Sequence, residues 1–408
     1  MRNRPALLFY CQHSLGMGHL VRSLALARAL PEHFRVVFLN GGPLPDTLPL
    51  PSGVKIINLP PLGFGRDREL VGKDASSTVD DEEAPRKRII LDTFTLLRPE
   101  AVLIEMFPFG RKKFATELLA LLHLARNGEA TRPVVACSLR DILAGREQSH
   151  DDLVVERANR YFDAILVHSD PAFARLEETF HPQSALHVPV HYTGFVSPGS
   201  VIHPLPASRR KRRVVVSAGG GLVGEPLLRA AIEAYPLVTR SEHLEMKVIA
   251  GPFLPEASWR ELRALAQGKK GLFLKRSVPN LCSELAEATA SISQCGYNSA
   301  MDLLRSRVSA LVVPFAQGRE NEQMNRARRL ESLGALRVLP EDELNPQRLA
   351  DEIRALLHFK PQSVNLNLDG ARTSARIMAE LVQRRKPDRE SFGPDGTAGA
   401  VHRTKKQY

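Results

Sequence analysis

Val214-Val215-Val216-Ser217-Ala218-Gly219-Gly220-Gly221-Leu222-Val223-Gly224 is a β-branched run that ends in three consecutive glycines and then enters a helical pattern. Three glycines cost backbone entropy unless the turn is very tight or the backbone must approach a ligand closely. Both readings stay open for the loop alone: a strand-to-helix turn, or a nest of amides for an anion. No Gly-Lys-Ser/Thr follows, which excludes a Walker A loop. The chain opens in the same way. Ala6 to Cys11 reads as a strand, and Gln12-His13-Ser14-Leu15-Gly16-Met17-Gly18-His19 leads into a helix at about His19. The third glycine of the dinucleotide fingerprint is missing, so NAD binding is not expected. A helix N-terminus nevertheless offers free N–H groups and about half a positive charge to an anion. His19 sits at that start, either as a local cap or as a group facing a ligand.

Outward from these two loops, short apolar runs alternate with helical-period segments along the chain, the pattern of parallel α/β layers. Strands are expected at Arg35 to Asn40, Val54 to Leu59, Ala101 to Glu105, Pro133 to Cys137, Ala164 to His168 and Leu186 to Tyr192. After a break they recur at Val214 to Ser217, Met246 to Ala250, Leu272 to Lys275, Ala290 to Ser293, Ala310 to Val313 and Leu336 to Leu339. Residues 63–88, crowded with Gly, Asp, Glu, Lys and Arg, read as a mobile surface loop. The expected division is residues 1–196 as a first Rossmann-like domain, 197–213 as a basic linker and 214–365 as a second such domain. A C-terminal helix at 366–384 and a tail at 385–408 follow. Two doubly wound sheets in tandem face each other across a cleft, with ligands at the carboxyl ends of the strands.

Two further strand-to-helix loops in the second domain carry polar residues. Gln294-Cys295-Gly296-Tyr297-Asn298-Ser299-Ala300-Met301-Asp302 follows one strand, and Phe315-Ala316-Gln317-Gly318-Arg319-Glu320-Asn321-Glu322-Gln323 follows the next. Ser299 suits a cap or a phosphate donor, and Asp302, one turn on, suits ribose hydroxyls. In the first domain Ala101-Val102-Leu103-Ile104-Glu105 ends a strand on a carboxylate beside Phe107-Pro108-Phe109-Gly110-Arg111. Glu105 is either a base aimed at the cleft or an ion-pair partner of Arg111 or Lys112. Arg140 and Asp141 end the next strand, either positioning an acceptor or pairing with each other.

Composition narrows the function classes. The 408 residues are 43% hydrophobic and 25% charged, which fits a globular chain and excludes global disorder. Of the net charge of +11, Arg209 to Arg213 supply +5 and residues 384–408 another +4, so the folded parts are nearly balanced. Only 6% of residues are aromatic, with none in the Arg209–Arg213 run and only Phe392 and Tyr408 in residues 384–408, which argues against nucleic-acid binding. The basic segments leave attraction to an anionic membrane surface open. No apolar run reaches the ~20 residues of a spanning helix. Cys11, Cys137, Cys282 and Cys295 form no CxxC pair, so a zinc site or disulfide framework is not expected. With no secretory signal, a reducing cytoplasm is expected.

Taken together, these loops resemble those of the GT-B glycosyltransferases of family 28, the MurG-like transferases that act on lipid-linked acceptors. The Gly16-x-Gly18-His19 loop is similar to that family's N-terminal glycine-rich loop, and Gly219-Gly220-Gly221 to its C-domain counterpart. Cys295-Gly296 to Asp302 resembles the segment that holds the nucleotide sugar, and Glu322-Gln323 the acidic and amide pair that contacts the sugar. The resemblance implies donor contacts from Ser277, Val278, Cys295, Gly296, Asn298, Ser299 and Asp302. Asp302 stands where the family usually has Glu, one methylene longer.

The function implied by the resemblance is inverting, metal-independent transfer of a hexose-type sugar from a nucleotide-diphosphate sugar, by family likeness a UDP-sugar, to an acceptor hydroxyl. His19 and Glu105 are the candidate bases, and Phe107, Arg111, Arg140 and Asp141 are expected on the acceptor side. No cofactor and no metal are implied. The acceptor is unidentified, and a lipid-linked one would bring peripheral contact with the inner face of the membrane. A same-fold nucleotide-sugar epimerase and a non-catalytic sugar-nucleotide-binding protein are the alternatives.

Overall fold

The computed structural model describes residues 4–13, 17–45, 48–64, 70–71, 79–128, 132–143, 148–197, 205–315 and 321–385. The first half contains β1 (Ala6–Cys11), α1 (Gly18–Ala29), β2 (Arg35–Asn40), β3 (Val54–Asn58), a hairpin of β4 (Gly63–Phe64) and β5 (Leu70–Val71), and α2 (Val79–Leu97). It continues with β6 (Ala101–Glu105), α3 (Ala115–Asn127), β7 (Val134–Arg140), α4 (Gln148–Tyr161), β8 (Ala164–His168) and β9 (Val190–Tyr192). Seven of these strands form one parallel sheet in the order β3-β2-β1-β6-β7-β8-β9. Helices cover both faces, which is why β1, β6 and β8 are buried along their whole length.

The second half repeats the plan with β10 (Lys211–Ser217), α5 (Glu225–Val238), β11 (Glu245–Ile249), α6 (Glu256–Ala266), β12 (Leu272–Lys275), α7 (Leu281–Glu287) and β13 (Ala288–Ser293). Then come α8 (Tyr297–Ser306), β14 (Ser309–Val312), α9 (Glu322–Ser332), β15 (Arg337–Val338), α10 (Pro346–His358) and α11 (Gly370–Arg385). The strand order is β12-β11-β10-β13-β14-β15, and every pair is parallel. In both sheets the order reverses beside the first strand, between β1 and β6 and between β10 and β13. Such a switch point opens a crevice at the strands' carboxyl ends. The loops after β1, β6, β10 and β13 all reach it.

The chain passes between the domains twice, and the crossings pair with each other. Phe195 N–H donates to Asn367 O at 2.7 Å, and Gly370 N–H donates to Phe195 O at 3.0 Å. α11 then packs on α1 and β7, with Ala375, Met378 and Val382 joining the core built on Leu20, Leu24 and Phe38. A separate apolar cluster spans both halves, joining Ile142, Phe173 and Phe195 to Tyr297, Met301, Ala327 and Leu330.

Two expectations are corrected. Residues 79–88 are not surface loop but the start of α2, and Arg86 within it is fully buried. Its guanidinium binds the Glu117 carboxylate at 2.6 and 2.9 Å and the Pro60 carbonyl at 2.6 Å. A charged residue here forms a buried anchor, so local charge density misreads the segment. Residues 65–69 and 72–78 of that stretch lie outside the described residues. The expected linker also runs too far, because Lys211, Arg212 and Arg213 belong to β10. Their charges are met by Glu287, Glu242 and Glu245. The tail beyond Arg385 lies outside the described residues.

Candidate active site

His19 is the second residue of α1, and Glu105 is the last residue of β6, on the two sides of the first switch point. Their side chains meet, with His19 Nδ1 2.6 Å from Glu105 Oε1. Glu105 is fully buried and is gripped by two more cations, Arg22 at 2.6 Å and Arg111 at 2.7 Å. Arg111 takes a left-handed backbone conformation, φ 62°, at the turn that brings its side chain back onto Glu105. Burial alone would push the Glu105 carboxyl up, but Arg111, His19 and Arg22 outweigh it and hold it well below the usual carboxylate range. His19 is held below an ordinary imidazole by burial and by the Arg111 charge, against the pull of Glu105. The imidazole is therefore neutral near pH 7. Its Nδ1–H donates to Glu105, which leaves Nε2 as an unprotonated nitrogen on a residue that lines the cleft.

The second domain builds the opposite wall. The Gly219–Gly221 turn leaves β10 and packs directly on the loop after β11. Gly221 has φ 91°, and a Cβ there would fall 2.5 Å from Ala250 O, so this pair of loops requires glycine. Beside it α8 starts after Gly296, which has no side chain to cap the helix, so its first amides are directed to the cleft without one. Asn298 in that first turn donates from Nδ2 to Gly18 O at 3.2 Å, bringing the two helix starts together across the cleft. Gln323 Oε1 accepts from Cys295 N–H at 3.1 Å and Phe315 N–H at 3.3 Å, fixing the loops before α8 and α9. The open cleft has a volume of about 1560 Å³. That exceeds the ~300–1,000 Å³ of a typical single-ligand pocket.

Asp302 lies one turn into α8, 8% exposed and lining the cleft. Burial pushes its carboxyl up to about 7, opposed only in part by Arg305. A carboxyl raised in the folded state favours folding at low pH, and that contribution is lost as pH rises from about 4 through 7. Asp302→Asn removes the penalty. It is expected to match the wild type in thermal melts near pH 4 and to exceed it at pH 8, by at most about 4 kcal/mol. Equal stability at every pH would show that Asp302 is not the strained group its burial implies.

The cleft gathers His19, Gly18, Gly219, Gly220, Gly221, Ser277, Val278, Gly296, Asn298, Ser299, Asp302, Arg140, Glu322 and Gln323. Glu105 stands directly behind His19. Gly16 lies outside the described residues. Four expectations on the remaining residues are corrected. Phe107 is fully buried in the first domain's core beside Phe162, so it cannot face an acceptor. Cys295 is likewise buried, and only its backbone serves the site. Arg111 is an anchor for Glu105 behind the cleft, which is the ion-pair reading of Glu105. Arg140, which lines the cleft, and Asp141 do not pair with each other. Arg140 pairs with Glu322 across the domain boundary, and buried Asp141 takes Arg326 at 2.8 Å on both oxygens. Sequence reading missed Arg22, Tyr297 and Arg326. Only Arg22 carried a local signal, three residues after His19 and so on the same face of α1.

Residues 256–381 match the family model described as the glycosyltransferase family 28 C-terminal domain. The UDP-N-acetylglucosamine–N-acetylmuramyl-(pentapeptide) pyrophosphoryl-undecaprenol N-acetylglucosamine transferase of Brucella anthropi is 24% identical over 199 residues, 40% of this chain and 53% of that protein. The chain thus spans about half the length of this curated relative. Among solved structures, MurG of Acinetobacter baumannii superposes with a TM-score of 0.55 at 15% identity, covering 93% of this chain and 100% of that one. The calicheamicin glycosyltransferase CalG4 gives a TM-score of 0.56 at 17% identity, covering 94% and 95%. Fold and family model agree: the chain has the GT-B fold, and its residues 256–381 carry the glycosyltransferase family 28 C-terminal domain.

Proposed function

We propose that the chain transfers a hexose-type sugar from a nucleotide-diphosphate donor to an acceptor hydroxyl with inversion at the anomeric carbon. The observation that carries this reading is the neutral His19 imidazole held by the Glu105 carboxylate, set across the cleft from the start of α8. In the proposed step the acceptor oxygen bonds to the anomeric carbon as the bond to the diphosphate oxygen breaks. The acceptor proton passes to His19 Nε2, and the Glu105 carboxylate stabilises the imidazolium that forms. The departing diphosphate charge is met by the first amides of α8 and by the Gly219–Gly221 loop. Asp302 is assigned to the ribose, the Ser277–Val278 backbone to the base, and Glu322 with Gln323 to the sugar. A UDP-sugar is the donor favoured by the Brucella anthropi relative's name, and the same name favours a lipid-linked acceptor reached at a membrane surface. No described helix is long and apolar enough to cross a membrane, so contact there would be peripheral.

Thermal melts of the full chain with UDP, TDP, GDP and ADP test the donor. One nucleotide is expected to stabilise selectively, by about 2.7 kcal/mol at a hundredfold excess over its Kd. Absence of any shift in a folded protein would overturn the donor assignment.

A further inference from the structure

We propose that Arg22 is a positioning residue that couples the seating of α8 over the cleft to the His19–Glu105 pair. The inference rests on the reading of His19 as the base. Arg22 is 2% exposed, and its Nη2 donates to Glu105 Oε1 at 2.6 Å and lies 3.4 Å from His19 Nδ1. The same guanidinium lies over the ring of Tyr297, 5.3 Å from its centroid, and Tyr297 is the first residue of α8. One buried cation therefore touches both members of the pair in the first domain and the helix start of the second.

Tyr297 is itself fixed by the first domain and the crossing segment. Its hydroxyl donates to His168 O at 3.0 Å and accepts from Val196 N–H at 2.8 Å. The Arg326 guanidinium lies 5.8 Å from the same ring while it holds Asp141. The ring can occupy this place only when α8 is seated against β8 and the crossing segment. Seating α8 thus supplies the surface against which Arg22 is fixed, and a guanidinium so fixed has its polar edge free for Glu105. A cation held there also repels a proton from His19, adding to the effect of Arg111 on the other carboxylate oxygen. Cys11, His168 and Tyr297 also feel the Arg22 charge, and His13 and Tyr10 feel Arg111; all five are buried. With the cation absent, His19 is expected to bind its proton more tightly while staying unprotonated near pH 7, and Glu105 loses one of the contacts that hold it in place for His19.

NMR titration of histidine-labelled full-length protein reads this directly, with the His19 signal assigned by its loss in His19→Gln. In the wild type His19 is expected to titrate below pH 6.5. Arg22→Met is expected to move its midpoint upward by roughly one pH unit and to lower kcat by about 10- to 100-fold at pH 7. Arg22→Lys is expected to restore most of the midpoint, since it returns the charge, but less of kcat, since it lacks the planar fork. Tyr297→Leu is expected to shift the same midpoint without touching His19. Circular dichroism melts identify any variant that fails to fold, and for these the Lys variant carries the test. An unchanged His19 midpoint in folded Arg22→Met overturns the proposal, and an unchanged midpoint in Tyr297→Leu overturns the coupling to α8. Undiminished sugar transfer by His19→Gln would instead overturn the catalytic reading, while the titrations still report on Arg22.

Discussion

His19→Ala lowers kcat for sugar transfer by roughly 10²- to 10⁴-fold at pH 7, the range that a positioned general base supplies. The fold is expected to survive, because the side chain sits at the cleft wall and is 23% exposed. Glu105→Gln keeps the shape and a hydrogen-bond acceptor for Nδ1–H but removes the negative charge that stabilises the imidazolium. Its kcat falls by about 10²-fold with the melting temperature less affected than in Glu105→Ala, which leaves the buried Arg22 and half-buried Arg111 with no side-chain oxygen at all. The pH profile adds a sign. His19 is lowered in the folded protein, so the acid limb of kcat/KM lies below pH 6.5, where an unperturbed imidazole would place it. Removing the Glu105 charge lowers His19 further, so in Glu105→Gln the plateau falls while the limb stays at low pH. Transfer rates within twofold of wild type in both variants would remove this pair from the chemistry.

The alternation of apolar runs and helical stripes was enough to place both sheets, because strands buried on two faces must be continuously apolar and the helices between them must be amphipathic. The glycine loops were legible for a similar reason: a glycine triplet after a strand has few other uses. Glu105 was also legible, since a carboxylate ending an otherwise apolar strand is brought to the sheet's carboxyl edge by the topology alone. What stayed hidden was the pairing of charges distant in sequence. Asp141 and Arg326 are 185 positions apart, and nothing local to either distinguishes a buried interdomain ion pair from a surface one. Arg86 was misread for the same reason, its partner Glu117 lying one helix further on. Phe107 shows the converse error. A Phe beside a Gly-Arg turn suggests a ligand-facing aromatic, yet its ring completes the core between β6 and α4.

Breaking the Asp141–Arg326 pair is the second change expected to have a large effect, and it acts on stability first. Both side chains are fully buried, the contact is bidentate at 2.8 Å, and Arg326 also donates to Cys295 O at 2.9 Å. Asp141→Ala leaves that guanidinium in the interdomain core without an anion, which costs about 3–5 kcal/mol and a fall in melting temperature of roughly 5–15 °C. Arg326→Met strands the Asp141 carboxylate in the same way. The double variant is expected to lose much less than the sum of the two, because no unpaired charge remains and the methionine refills part of the volume. Strict additivity would mean that the two groups do not depend on each other. Small-angle scattering gives the structural counterpart: Asp141→Ala, with the two domains held less firmly at α8 and α9, is expected to show a larger radius of gyration than His19→Ala. An unchanged radius together with the loss of stability would assign the pair to core stability alone, with no part in holding the cleft closed.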